Sequence, residues 1–139
     1  MADGVRLICW PTPDRLALGI QIKNLAGQLH SETEEPVQLD TGYSEEVLVP
    51  YDLFETLNLG HWRLPQTPAA TGTTVTGQVI HLLEAYADVA VPRTGEQYRV
   101  IVQTFDGNTR LLIGRAFLRR FKVLLDGPGG QTCLMTQAS

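Results

Sequence analysis

Apolar and polar residues alternate along much of this chain, which is typical of β-strands that turn one face toward a core. The strictest alternation runs over residues 16–24, with leucines and isoleucines at the even positions from Leu16 to Ile22. Successive side chains of a strand point to opposite faces, so a period of two residues indicates a strand. The pattern predicts a half-buried strand over residues 16–24.

Shorter apolar runs predict the remaining strands and two short helices. Further strands are expected at residues 5–10, 37–39, 47–49, 79–91, 98–105, 111–113, 121–125 and 131–136. Prolines and glycine-containing turns separate these runs. Helical spacing of apolar residues appears at residues 51–59 and 115–120. The chain is therefore predicted to be an all-β protein with little helix.

Charge and composition exclude several classes of function. The net charge is −4 and the basic residues are scattered, so no Lys/Arg stripe is present to neutralise nucleic-acid phosphates. The basic residues within 115–122 and the acidic residues within 26–36 are interpreted as solvated surface. At 139 residues, the chain is long enough for one domain with its own core.

The sequence contains no membrane-spanning run of about 18 apolar residues and no signal-peptide pattern, which predicts a cytoplasmic protein. Cys9 and Cys133 are too few for a disulfide framework. We expect buried free thiols, with a bridge between the terminal strands as the alternative. His30, His61 and His81 show no metal-ligand spacing, so neither a metal nor a cofactor is expected.

The most informative stretch surrounds Asp40. Val37 and Leu39 flank a polar residue as in a half-buried strand, which leads the acid into a Thr41-Gly42 turn. An apolar run resumes at residues 47–49. Because a carboxylate between two core strands is costly to bury, its presence there indicates a function.

A second motif lies far downstream, where aliphatic residues 111–113 precede Gly114 and a short predicted helix. Asp40-Thr41-Gly42 together with this motif resembles the paired signatures of aspartic proteases, and specifically the single-domain retropepsin-like branch. The resemblance spans about Val37 to Asp126. It implies a retropepsin-like acid protease barrel over residues 1–139, with one short C-terminal helix and one lobe per chain.

The resemblance also implies roles for individual residues. Asp40 is the catalytic carboxylate, Thr41 braces the loop across a dimer, and Gly42 admits the substrate backbone. Gly114 packs beneath the catalytic loop, and Arg115 supports that loop.

Two positions depart from the retroviral pattern. Ser44 stands where an acid normally pairs with the arginine of the Gly-Arg motif, so Arg115 is left to bond backbone carbonyls or Glu45, or to be exposed. Tyr43 replaces a small residue, as in bacterial single-domain relatives, and is expected to narrow the cleft. Both Tyr43 and Ser44 are candidate substrate-binding residues.

Residues 71–77 combine threonine, glycine and valine in a pattern that favours a mobile β-hairpin. In the resembled family, a hairpin here is a flap that closes over the substrate. Thr71, Gly72, Thr73, Thr74 and Val75 are therefore candidate substrate-binding residues. The alternative is an ordinary surface hairpin.

One copy of the Asp motif implies that the second catalytic carboxyl comes from another copy of the chain. The expected function is a homodimeric aspartic endopeptidase (a hydrolase) that cuts extended polypeptide at acidic to mildly acidic pH. No nucleic-acid or membrane partner is expected. In the resembled family the chain termini pair across the dimer, so Cys9 and Cys133 are expected near that interface. The alternatives are a non-catalytic retropepsin-fold dimerisation or peptide-binding module, and a monomer with no assembled site.

Overall fold

A computed structural model describes residues 4–65, 71–73 and 76–137. The strands are β1 (Val5–Pro11), β2 (Ala17–Lys23), β3 (Glu35–Leu39), β4 (Val47–Leu48), β5 (Thr71–Thr73), β6 (Val79–His81), β7 (Leu83–Val91), β8 (Glu96–Thr104), β9 (Leu112–Ile113), β10 (Lys122–Asp126) and β11 (Gln131–Gln137). The helices are α1 (Tyr51–Thr56), a 3-10 helix (Leu59–Trp62) and α2 (Arg115–Leu118). The all-β prediction is confirmed.

Six strands close into a barrel in the order β2-β3-β9-β4-β8-β7. The β3–β9 and β4–β8 pairs are parallel, whereas the other pairs are antiparallel. The longest ladder joins β7 to β8, from Leu83 opposite Thr104 to Val91 opposite Glu96. Closure gives each of these strands a hydrogen-bonded neighbour on both sides, although the ladders that involve β4 and β9 are only two residues long.

The alternation predicted over residues 16–24 is confirmed in β2, where Leu18, Ile20 and Ile22 are fully buried. The opposite face is also buried at Ala17 and Gly19, although the pattern predicted a half-buried strand. The indole of Trp10 covers this face. A Cβ on Gly19 would lie 2.5 Å from the Trp10 Nε1 atom, so only glycine fits there.

A three-stranded antiparallel sheet in the order β1-β11-β10 lies outside the barrel. Trp10 and Leu134 of this sheet belong to the same buried cluster as the barrel interior. The cluster therefore joins the sheet and the barrel through a common core.

Cys9 lies opposite Cys133 in the β1–β11 ladder, and the two form a disulfide. The expectation of free thiols is therefore wrong. The two residues are far apart in sequence, and only the register of the terminal strands brings them together. β1 pairs with β11 of its own chain, whereas the resemblance implies pairing of the termini across a dimer.

Other boundaries differ from the pattern. The helix expected over residues 51–59 ends at Thr56 because Asn58 adopts a left-handed conformation with φ 55°. The strand expected over residues 79–91 is divided at Leu82 into β6 and β7.

The acidic loop is also less solvated than predicted. Trp10 Nε1 donates to Glu34 at 3.2 Å, and His30 Nε2 lies 2.7 Å from Glu35 Oε2. Glu34 therefore bonds to Trp10 of β1, whereas Glu35, whose side chain is 46% exposed, bonds to His30 of the same loop, so the interpretation as solvated surface is wrong for Glu34. In the described part of the chain, every helix is too short or too polar to cross a bilayer.

Candidate functional site

Three short strands bring the two sequence motifs together. Asp40 follows β3, which pairs in parallel with β9, and β9 pairs on its other side with β4. The Asp40 backbone N–H donates to the Ile113 carbonyl at 2.9 Å. The acid therefore sits directly beside the strand that carries the aliphatic motif, at the end of a closed barrel.

The turn itself orients the Asp40 carboxylate. Oδ1 accepts a hydrogen bond from the Gly42 N–H at 2.9 Å, and the Tyr43 N–H donates to the Asp40 carbonyl at 3.1 Å. Asp40 is half-buried, whereas Thr41 and Gly42 are exposed. Within the described residues, no hydrogen bond reaches Oδ2, so this oxygen is available to a water or a second carboxyl group.

Gly114 lies in direct contact with the segment that follows the turn. Its N–H donates to the Glu46 carbonyl at 2.9 Å. A Cβ at this position would lie 2.1 Å from the Glu45 carbonyl oxygen and 2.7 Å from that of Tyr43. The Arg115 N–H also donates to the Tyr43 carbonyl, at 2.9 Å. The segment is therefore held by backbone contacts that leave no room for a side chain.

The Arg115 side chain is exposed and makes no hydrogen bond or ion pair within the described residues. Of the alternatives left open for this side chain, exposure is the one observed. Arg115 supports the loop through its backbone N–H alone. Arg120 makes the ion pair instead, with Nη2 2.5 Å from Glu46 Oε1. The interpretation of residues 115–122 as only solvated surface is wrong for Arg120.

Sequence reasoning did not single out Glu46 or Arg120. The carboxylate of Glu46 also accepts the Ile101 N–H at 2.6 Å, and Arg120 donates to the Arg99 carbonyl at 3.0 Å. The sequence does show Glu46 as an acid two positions after Ser44. Nothing in the local pattern, however, indicated which arginine would pair with it.

Tyr43 is anchored across the barrel. Its hydroxyl donates to Gln103 Oε1 at 2.8 Å, and Gln103 Nε2 donates to Glu84 Oε2 at 2.8 Å. Because the carboxylate only accepts hydrogen bonds, it fixes the orientation of the Gln103 amide and hence the direction of the Tyr43 proton. Gln103 is buried and was not predicted as a site residue.

The electrostatic environment keeps Tyr43 protonated. Burial, followed by the carboxylates of Glu45, Glu84 and Glu46, raises the pKa of Tyr43 well above its ordinary value. The phenol is therefore neutral over the physiological pH range, and its hydroxyl can act as a hydrogen-bond donor.

The β5–β6 hairpin faces the Asp40 turn across a groove of about 330 Å³. The turn side of this groove is formed by Gly42, Tyr43 and Ser44, and the hairpin side by residues 71–73. The groove is also lined by the apolar residues Leu48, Ile80, Leu82 and Phe105 and by the polar residues Glu45 and Gln103.

Thr71, Gly72 and Thr73 line the same groove as Tyr43 and Ser44. Thr74 and Val75 lie outside the described residues. Asp40 does not line the groove itself, but its carboxylate bonds to Gly42, which does. Across the described ranges, no group of three or more His, Cys, Asp or Glu side chains has the arrangement of a metal site.

No family model matches the chain, and no solved structure matches it. An uncharacterized protein of Archaeoglobus fulgidus is 34% identical over 88 residues. The match covers 63% of this chain and 66% of that protein, which is slightly less than two thirds of its length. This similarity shows that the sequence has an archaeal relative, and it assigns no activity to either protein.

Proposed function

We propose that this protein is a retropepsin-like aspartic endopeptidase that acts as a homodimer, with one Asp40 contributed by each subunit. The observation that carries this proposal is the junction of β3 and β9. There, a half-buried acid in an Asp-Thr-Gly turn is fixed by Ile113 and Gly42 beside a groove covered by a hairpin.

The chemistry requires two carboxyl groups in contact. One is ionised and takes a proton from a water, while the other is protonated and donates to the carbonyl of the scissile peptide bond. Two adjacent carboxylates cannot both be ionised at low cost, so the pair holds one proton. Activity is accordingly expected at acidic to mildly acidic pH.

The second carboxyl comes from a two-fold-related copy, since the chain carries a single Asp-Thr-Gly motif. The free Oδ2 of Asp40 suits this role because no other group within the described residues occupies it. Thr41 is exposed next to Asp40 in the chain, and in such a dimer it would contact the partner's turn.

An extended polypeptide is the substrate that best fits the groove. β5 and β6 form a ladder of three residue pairs, and the groove beside them is lined by both polar and apolar residues. Backbone groups of such a hairpin can bond an extended chain by strand addition, while Leu48, Leu82 and Phe105 contact its side chains.

The test is cleavage of an unfolded protein by the wild type and by Asp40→Asn. We expect the substitution to lower the rate by at least about 100-fold, because the general base is lost. Asp14→Asn is the matched control, since Asp14 is an exposed acid in a turn and does not line the groove, and it should retain full activity. Equal rates for wild type and Asp40→Asn would remove the proposal.

The second candidate is a non-catalytic dimerisation or peptide-binding module with the same fold. The presence of the bulky Tyr43 phenol in the groove wall favours it. A statine-type transition-state mimic separates the two functions, because a pure binding module has no reason to prefer a tetrahedral diol to the matching peptide. Equal affinity for the mimic and the peptide would favour the module.

A further inference from the structure

We propose that the second copy of this chain docks through the outer edge of β10 and the apolar groove beside it. We call this surface the β10 face, and its apolar residues are Leu16, Leu39, Leu118, Phe121, Val123 and Leu125. The inference rests on the proposed function, because that function needs a second Asp40 and the site is incomplete without it.

The β10 face is continuous with the Asp40 turn. Its groove has a volume of about 460 Å³, and Thr41 lines it together with the apolar residues. Leu39 precedes Asp40 in the chain and Thr41 follows it, so a molecule seated in this groove contacts both neighbours of the acid. Leu125 is 48% exposed here, which leaves a large apolar side chain in water.

The outer edge of β10 is open. Within the described residues, β11 is the hydrogen-bonded neighbour of β10, and no strand lies on its other side. Exposed strand edges are sites at which another chain can add by main-chain hydrogen bonds.

The opposite edge of the same sheet is protected. β1 ends with Pro11, which has no N–H to donate, and the Arg93 guanidinium donates to the Cys9 carbonyl. Pairing of β1 with β11 and the Cys9–Cys133 disulfide also hold the terminal strands within one chain. Exchange of the termini between subunits is therefore not the route to a dimer, and β10 is the edge that remains.

The sequence of β10 is complementary to itself in an antiparallel arrangement. Pairing two copies about Leu124 places Lys122 beside Asp126 of the partner subunit, and Val123 beside the partner's Leu125. Each charged residue then faces a residue of opposite charge, and each apolar residue faces an apolar one. A two-fold interface requires such self-complementarity. Asp126 also accepts hydrogen bonds from Gly129 and Gln131, so its carboxylate is already held at the end of the strand.

The two faces of β10 divide these contacts. Val123 and Leu125 line the groove next to the Asp40 turn, whereas Lys122 lies on the other side of the strand. Leu124, which is 39% exposed, lies on the same side of the strand as Lys122 and would contact Leu124 of the partner subunit. A Lys122–Asp126 pair would flank this contact at each end. A partner of unrelated sequence would not match this order of charges, which is why we assign the surface to a second copy.

The test is sedimentation equilibrium of the full chain from about 1 to 100 μM, a range that brackets micromolar dissociation constants. We expect a dimer for the wild type and at least a 100-fold weaker dimer for Leu125→Arg. Lys122→Glu should weaken the dimer about tenfold, because each new carboxylate faces Asp126 of the partner subunit. Leu7→Arg is the matched control: Leu7 is 49% exposed on β1, and its replacement should leave the dimer unchanged.

Circular dichroism of each variant establishes that it is folded, and Lys122→Glu provides a second probe at an exposed position if Leu125→Arg does not fold. A monomeric wild type, or a dimer that neither substitution weakens, overturns the inference. Asp40→Asn should dimerise like the wild type. If the wild type dimerises through β10 but does not cleave protein, the proposed function fails while this interface stands.

Discussion

Nη2 of Arg120 lies 2.5 Å from Oε1 of Glu46, so an ion pair joins the second residue after α2 to the segment that follows the Asp40 turn. The Arg120 guanidinium also lies over the Tyr98 and Phe117 rings, at 5.8 and 5.9 Å from their centroids. These contacts tie the loop to β8 and to the core. Arg115, for which a bond to backbone carbonyls, a bond to Glu45 and exposure were the open alternatives, is exposed.

Arg120→Gln should destabilise the protein by about 1 kcal/mol, because it leaves Glu46 without its cation. The Arg120 side chain is 34% exposed and that of Glu46 is 17% exposed, so solvent screening keeps the loss near the lower end for charged hydrogen bonds. Urea unfolding measures the change. Arg115→Gln is the control and should stay within about 0.5 kcal/mol of wild type. Similar losses in both variants would contradict the assignment.

Gly114→Ala should destabilise the protein by about 3 kcal/mol, because the added Cβ would lie 2.1 Å from the Glu45 carbonyl oxygen. That neighbour is backbone and cannot rotate away. Gly60→Ala is the matched control, since a Cβ at Gly60 meets no atom within 4 Å. Thermal and urea unfolding of both variants test the difference, and a near-neutral Gly114→Ala would show that the loop is not packed as described.

Reduction of the Cys9–Cys133 bond should lower stability by roughly 5 kcal/mol in the chain-entropy model, because the bond closes a loop with a sequence separation of 124. Urea unfolding with and without dithiothreitol measures the loss. The Cys9→Ala/Cys133→Ala variant should match the reduced wild type and should not respond to the reductant. A wild type that is insensitive to dithiothreitol would indicate free thiols.

Tyr43→Phe should cost about 1 kcal/mol at pH 7, because Gln103 loses its hydrogen-bond donor. The pKa of Tyr43 is raised in the folded state, so the folded protein holds this proton more tightly than the unfolded chain does. The resulting stability is fully present below the unfolded pKa near 10 and is lost as pH rises above it.

The advantage of the wild type over Tyr43→Phe should therefore shrink by up to about 1.4 kcal/mol per pH unit above pH 10. Unfolding free energies between pH 8 and pH 11 measure this trend. Tyr86→Phe is a control, since Tyr86 lies on the outer face of β7 and is 40% exposed. A difference between wild type and Tyr43→Phe that stays constant with pH would contradict the buried, neutral phenol.

Local pattern predicted the positions of most strands because alternation depends on each strand having one buried face. The prediction of a half-buried strand was wrong for the second face of β2, because Trp10 covers that face. Trp10 belongs to a separate sheet, whose position the residues of β2 do not specify. Local pattern also failed at Asn58, where a single left-handed residue ends the first helix early.

In the candidate site, too, local sequence predicted some contacts and missed others. The Asp40 turn was predictable because Gly42 and the carboxylate interact within three residues of chain. The contacts that hold this turn, Glu46 with Arg120 and Tyr43 with Gln103, join segments that are distant in sequence. Their partners depend on strand register around the barrel.

The sequence by itself determined the strand-rich class, the turn that presents Asp40 and the glycine that must follow the aliphatic motif. Only the tertiary structure decided that Cys9 bonds to Cys133, that Arg120 is the arginine paired with Glu46, and that β10 has a strand on one side alone among the described residues. The physical reason is that alternation, turns and glycine requirements act over a few residues. Contacts between residues that are distant in sequence depend instead on the register of all the strands in the closed barrel. No local segment specifies that register.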